Sequence, residues 1–360
     1  IPQDPVPVVP VLLQRPSRGS VNPGLSAAAV DSYTLRPFKA APWLPGPHLQ
    51  TVLGKFLRPS VALQTRRVRL ELDDGDFLDL DLGPCPSPGA PLVVVLHGLE
   101  GSIQRPYARL ALQALVTQGI QPVGMNFRSC SGEPNRTLRF YHSGETDDFR
   151  AVLSALERWF PSRPVGALGF SLGGNVLLKW LGEEGEGARK RLRAAATVSV
   201  PFDLAAGTKL LEEGLWGRIY THYFLRSLKE KAQTKASRLG NVLEMERILS
   251  SRTLREWDDA VTAPLHGFKD AQDYYVLSSS KGFLPDVRIP ALLIQADDDP
   301  FLPRESLPTD EVGENPFLKA AFTRGGGHVG FVAGSSPAHR FFWAESEAAR
   351  FLGWALTDSA

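Results

Sequence analysis

The 360-residue chain carries 40 basic and 39 acidic residues, a net charge of +1. That balance excludes a polybasic nucleic-acid or membrane-surface binder, and 43% apolar residues exclude global disorder. Two isolated cysteines, Cys85 and Cys130, make neither a disulfide framework nor a zinc site, and no apolar run approaches the roughly 18 residues of a membrane span.

Ile1–Gln14 is apolar but broken by prolines, and it lacks the basic start of a signal peptide. Residues 1–40 read as a Pro-rich extension. RRVRLELDDGDFLDLDLG (Arg66–Gly83) alternates on both sides of an Asp-Gly turn, a hairpin signal. PLVVVLHG (Pro91–Gly98) is a continuous β-branched run, as in a buried parallel strand. Tyr107–Gly119 has helical period and a glycine stop, Ile120–Phe127 is strand-like, and Glu145–Phe160 is a helix with an acidic start, for which Ser143 is the expected N-cap. VGALGF, AAATVSV, ALLIQA and AAFTR read as further strands, and Ala344–Leu356 as a last helix. Strands alternating with helices predict an α/β fold with a mostly parallel sheet flanked by helices.

Between Val200 and Ala291 no strand-like run occurs and the pattern is helical and rich in aromatics. The expected organisation is a core in two parts, 41–200 and 286–360, with a helical cap at 201–285. Leu210, Leu211, Leu215, Trp216, Tyr220, Tyr223, Phe224 and Leu225 fall at spacings that put several on one helix face. That face either packs the cap on the core or receives an acyl chain.

The chemistry starts from Gly169–Asn175, GFSLGGN, which fits G-x-S-x-G where a strand turns into a helix. A serine hydroxyl needs a base, and the base needs an acid to orient it. On the α/β-hydrolase scaffold the order is serine, acid, histidine. Of the four histidines after Ser171, His222 and His266 lie in the helical insertion and His339 near the last helix. His328, in RGGGHVGF, directly follows the last strand. The acid comes from Asp297-Asp298-Asp299 after ALLIQA: Asp299 by its spacing from Ala296, with Asp298 second. Oxyanion donors are expected from the backbone N–H groups of Leu172 and Leu99. His97 reads as a structural residue of the same loop. His142 is weighed as substrate-facing and Tyr141–Glu145 taken mainly as a structural loop.

PWLPGPHLQT (Pro42–Thr51), HGLEGS, NFRSCSGEPNR, YHSGETDD, GFSLGGN and DDAVTAPLHGF together resemble the YheT-like esterases, family 4 of the α/β-hydrolases. The resemblance runs from about Pro42 to Leu352. It implies an α/β-hydrolase fold, a serine hydrolase acting on carboxylic esters, and a triad of Ser171, Asp299 and His328. One departure is Ser129, where the family usually has glycine. Eukaryotic members carry an N-terminal membrane anchor; this chain shows none, so a cytoplasmic protein of the prokaryotic type is expected. No metal or organic cofactor is expected, and the partner is a small ester with an apolar acyl group, of short to medium length. Acyl transfer to an alcohol and a non-catalytic ligand binder are the competing readings.

Overall fold

A computed structural model describes residues 27–357. Eight strands form its main sheet: β1 (Arg66–Glu71), β2 (Phe77–Leu82), β3 (Leu92–Leu96), β4 (Gln121–Asn126), β5 (Val165–Phe170), β6 (Ala194–Val198), β7 (Ala291–Ala296) and β8 (Leu318–Thr323). Their order is β1-β2-β4-β3-β5-β6-β7-β8. The β1–β2 hairpin is antiparallel and joins β4 antiparallel; every other neighbouring pair is parallel.

The helices used below are α1 (Pro47–Leu57), α2 (Pro106–Thr117), α3 (Asp147–Trp159), α4 (Leu172–Glu184), α5 (Gly214–Thr234) and α6 (Trp343–Thr357). Side-chain alternation along β3 builds two cores. Leu92, Val94 and Leu96 pack with Val152 and Leu156 of α3 and Val176 of α4, while Val93 and Val95 pack with Leu112 of α2 and Phe351 of α6. Both faces of the sheet are therefore covered, which is why β3, β6 and β7 are buried at every position.

The segment between β6 and β7 consists of helices joined by short loops and contains no strand. Part of it forms a small core of its own, in which Leu225, Leu228, Ile248 and Trp257 meet Phe140. Three expectations need correction. Residues 1–26 lie outside the described residues, but the rest of the presumed extension is seated on the core: Tyr33 is buried, edge-on to Phe351, and its hydroxyl donates to Glu347 Oε1 at 3.0 Å. The helix expected from Glu145 begins at Asp147, and Ser143 does not cap it. Ser143 instead ties two segments together, its N–H donating to the Tyr274 hydroxyl and its carbonyl accepting from Asn175 Nδ2. Thr146 holds the N-cap position without a side-chain cap bond, and Asp147 and Asp148 offset the helix dipole. Finally, the single apolar face expected over Leu210–Leu225 is divided, Leu210 and Leu211 lying on a separate helix, Leu204–Glu212. Leu215 is 73% exposed, whereas Leu225 is buried in the small helical core.

Candidate active site

Ser171 stands between β5 and α4 with φ +52° and ψ −121°. The strand reverses into the helix so tightly that neighbouring positions have no room for a side chain. A Cβ on Gly169 would lie 2.5 Å from Gly174 Cα, and one on Gly173 would lie 2.6 Å from the carbonyl oxygens of Leu96 and His97. The glycines on either side of Ser171 thus follow from close approach as much as from backbone freedom. Ser171 N–H donates to Val198 O at 2.8 Å, pinning the turn to β6.

His328, 157 residues further on, places Nε2 2.9 Å from Ser171 Oγ. Its Nδ1 lies 3.0 and 2.9 Å from the two oxygens of Asp299. In the neutral tautomer consistent with this row, Nδ1–H donates to the carboxylate and Nε2 accepts from the serine hydroxyl. Asp299 also accepts from Gln295 Nε2 at 2.9 Å and from the Phe301 N–H at 2.9 Å, so its orientation is set from three directions. Asp298 points elsewhere: its Oδ1 accepts from the Gly327 N–H at 2.9 Å, and burial raises its carboxyl above the usual range. Asp297 accepts from the Gly325 N–H in the same way. Two of the three aspartates therefore brace the glycine-rich loop, and only Asp299 reaches the imidazole.

Several supports of this row were not singled out from the sequence. Thr51 of α1 accepts the His328 N–H on its Oγ1 at 2.9 Å and donates to Pro47 O. Ser199 Oγ accepts the Val329 N–H at 2.8 Å. Phe301 stacks on the His328 ring with centroids 4.1 Å apart and 20° between planes, covering one face of the imidazole. Pro42–Thr51 stands out as a motif, but nothing local to it pairs it with a loop nearly 280 residues away.

The loop after β3 carries Leu99. No hydrogen bond to a protein acceptor engages the Leu99 N–H among the described residues, and the Leu172 N–H, at the first position of α4, has no helical acceptor behind it. His97, fully buried, holds this loop: Nδ1 lies 2.8 Å from Gly98 O, and Nε2 accepts from the Phe127 N–H at 3.2 Å. Burial pushes its imidazole down to about 3, so it stays neutral. Glu100, next to Leu99, sits at φ +52° and is 4% exposed. Its carboxylate is met by the Tyr141 hydroxyl at 2.8 Å, by Ser227 Oγ and by Lys231 Nζ at 2.8 Å, the last two from α5. Burial alone would lower the Lys231 ammonium, but Cys130 and Glu100 outweigh it and the net shift is upward.

This pair couples α5 to the loop of Leu99, and its removal has a calculable cost. Lys231→Met strips the cation from a buried carboxylate and should destabilise the fold by about 3 kcal/mol. Combining it with Glu100→Gln should cost less than the sum of the two single changes. Urea unfolding of the four proteins measures both numbers; strict additivity would show that the pair is not coupled.

Two recesses border Ser171. A groove of about 310 Å³ runs beside α1 and α5, lined by Val52, Phe56, Ile219, Tyr220, Tyr223 and Phe224. A chamber of about 110 Å³ includes His142, Leu211, Trp257 and Asp258. Tyr220, Tyr223 and Phe224 of the expected cap face do line the groove; Leu211 lines the chamber. A separate cleft of about 620 Å³, bordered by Arg139, Arg150 and Lys179, does not include Ser171, and its cations are paired with Glu145, Asp147 and Glu183. In that cleft His142, Glu145 and His266 bring one ligand atom each within 4.8 Å of one another. The set fits a metal poorly. His142 Nδ1 accepts from the Gly144 N–H, which leaves the proton on Nε2, and Arg139 already occupies the Glu145 carboxylate.

Residues 91–311 match the family model described as alpha/beta hydrolase fold. The chain is 41% identical over 314 residues to YheT of Escherichia coli (strain K12), a protein whose esterase activity its own name leaves provisional; 86% of this chain and 90% of that one are covered. It is 31% identical to a monoacylglycerol lipase of Saccharomyces cerevisiae over 73% of this chain and 59% of that one. It is 29% identical to the phospholipase ABHD3 of Mus musculus over 80% and 71%. Among solved structures, 2,6-dihydroxy-pseudo-oxynicotine hydrolase shares the fold with a TM-score of 0.54 at 17% identity, over 86% of this chain and 72% of that one. A serine elbow on a strand-to-helix turn, a parallel sheet entered by an antiparallel hairpin, and identity to YheT along nearly the whole chain lead to one conclusion: the chain belongs to the α/β-hydrolase fold family, in the group of YheT.

Proposed function

We propose that the protein hydrolyses carboxylic esters through an acyl-enzyme, with Ser171 as nucleophile, His328 as base and acid, and Asp299 as the group that orients His328. The observation that carries this reading is the continuous row from Asp299 through Nδ1 and Nε2 to Ser171 Oγ, with every contact between 2.9 and 3.0 Å. The relatives named as esterase, monoacylglycerol lipase and phospholipase support the same class of chemistry.

In the forward step Ser171 Oγ attacks the ester carbonyl carbon while its proton passes to His328 Nε2. The carbonyl oxygen becomes an oxyanion that the Leu99 and Leu172 N–H groups receive. The C–O bond to the alcohol then breaks, Nε2–H protonates the leaving oxygen, and the acyl group remains on Ser171. Water repeats the sequence: Nε2 takes its proton, the hydroxide adds to the acyl carbon, and Ser171 Oγ leaves with the proton returned. The imidazolium formed each time Nε2 takes a proton is stabilised by Asp299. An alcohol in place of water gives acyl transfer by the same steps, and product analysis in mixed water and alcohol separates the two. We place the protein in the cytoplasm; among the described residues no helix is long and apolar enough to cross a membrane.

The helices of residues 201–285 act on this reading as a cap, because α5 supplies one wall of the groove beside Ser171. An apolar groove of about 310 Å³ suits an acyl chain. Each buried methylene contributes at most about 0.8 kcal/mol, up to roughly fourfold in kcat/KM. A p-nitrophenyl ester series from acetate to palmitate should therefore show kcat/KM rising to a short- or medium-chain optimum and falling beyond it. Highest activity on acetate with a steady decline would remove the groove from the substrate path.

A further inference from the structure

The groove and the chamber share Leu99, Ser171, Phe224, Phe301 and His328 but differ in what they add. The chamber contributes a carboxyl group, Asp258, that no step above uses. Asp258 begins a π-helical turn, Asp258–Thr262, inserted between the helical segments Leu254–Trp257 and Ala263–His266. Such turns are rare and recur at functional sites.

Thr262 Oγ1 donates to Asp258 Oδ1 at 2.6 Å, and the Tyr275 hydroxyl donates to Oδ2 at 2.8 Å. A carboxylate oxygen has two acceptor positions, so one on each oxygen is left after these bonds. Two neighbouring polar groups each hold a backbone N–H, and the Tyr274 hydroxyl keeps its own proton to donate; burial and the nearby Asp258 push its pKa up. Asp259 Oδ1 accepts the Ala271 N–H at 2.7 Å, and the Tyr274 hydroxyl accepts the Ser143 N–H at 2.9 Å. Among the described residues no lysine or arginine forms an ion pair with Asp258. Burial pushes its carboxyl up to about 7, against the lowering effect of Thr262 and Tyr275. A carboxyl held this way in a recess walled by Leu211 and Trp257 is costly unless its acceptor capacity is used.

The geometry points to the chamber as the subsite for the alcohol portion of the ester, with Asp258 as a specificity-determining residue that accepts a hydrogen bond from a hydroxyl on that portion. This rests on the ester-hydrolase reading of Ser171 and adds to it a substrate class: esters whose alcohol carries a further hydroxyl. A cationic alcohol is the poorer fit, because the apolar walls would strip water from a full charge.

The test compares 2-hydroxyethyl octanoate with n-propyl octanoate, which share the acyl chain and nearly the same alcohol volume. Assayed at about pH 8.5, above the value of about 7 to which burial raises the Asp258 carboxyl, the purified full chain should favour the hydroxyethyl ester in kcat/KM by about tenfold or more, the scale of a hydrogen bond to a charged group. Asp258→Leu should bring the ratio close to one, and Asp258→Asn, which keeps one acceptor oxygen, should retain part of the preference. Equal kcat/KM for the two esters in the unmodified protein overturns the proposal without any variant, even if Asp258→Leu does not fold. An unchanged ratio in a folded Asp258→Leu protein overturns it too, as does a stronger preference for the choline ester of octanoate. Hydrolysis of the propyl ester keeps the hydrolase reading standing whatever the ratio; hydrolysis of neither ester, with no fluorophosphonate label on Ser171, removes both.

Discussion

Ser171→Ala is expected to lower p-nitrophenyl ester turnover by about 10⁴- to 10⁶-fold. The magnitude follows from the row of contacts. With Oγ gone, His328 Nε2 has no hydroxyl to activate, and only the oxyanion donors and substrate binding remain to accelerate attack by water. The fold should survive, because the backbone contacts that hold the turn, from Ser171 N–H to Val198 O and from the Gly174 N–H to Ser171 O, do not involve the side chain. Circular dichroism and thermal unfolding check that point independently of activity. Turnover within tenfold of the unmodified protein would assign the nucleophile elsewhere.

Asp299→Asn should cost about 10⁴-fold, and Asp298→Asn little. An amide at 299 can present its NH₂ to His328 Nδ1, which favours the tautomer with the proton on Nε2 and leaves no base facing Ser171. Asp298 offers a carbonyl-like oxygen to the Gly327 N–H, and the Oδ1 of asparagine can do the same. The two variants are isosteric, so their difference reads protonation chemistry rather than packing. Kinetics of both on one ester give the ranking; the reverse order would move the acid of the triad to Asp298.

Much of this architecture is legible locally. The all-apolar runs of β3 and β7 require two covered faces, the Asp-Gly turn predicts the entry hairpin, and glycine two positions to each side of Ser171 marks a turn with no room for side chains. Other features are not local. Serine near an acidic helix start has the chemistry of a cap, so the sequence by itself points Ser143 to that role. Its N–H and carbonyl were drawn instead by Tyr274 and Asn175, partners 131 and 32 residues away. The apolar positions of α5 were grouped by helical period, but period alone does not say what lies opposite. Phe140 and the helices after α5 bury Leu225, while Leu215 faces water.

Composition and period determined the class of fold and the elbow, because each depends on residue type within a few positions, and chain order pointed to the proposed serine, acid and histidine. Spacing from Ala296 already favours Asp299; tertiary structure adds the physical reason, the loop after β7 turning Asp297 and Asp298 to the N–H groups of Gly325 and Gly327 and Asp299 to the imidazole. It also decided that Thr51 holds the backbone of His328 and that Glu100 ties the Leu99 loop to α5. It brought Asp258 into the recess beside Ser171. These are contacts across some 30 to 280 residues, and their geometry is set by how the sheet's two faces are covered, which no stretch of sequence carries by itself.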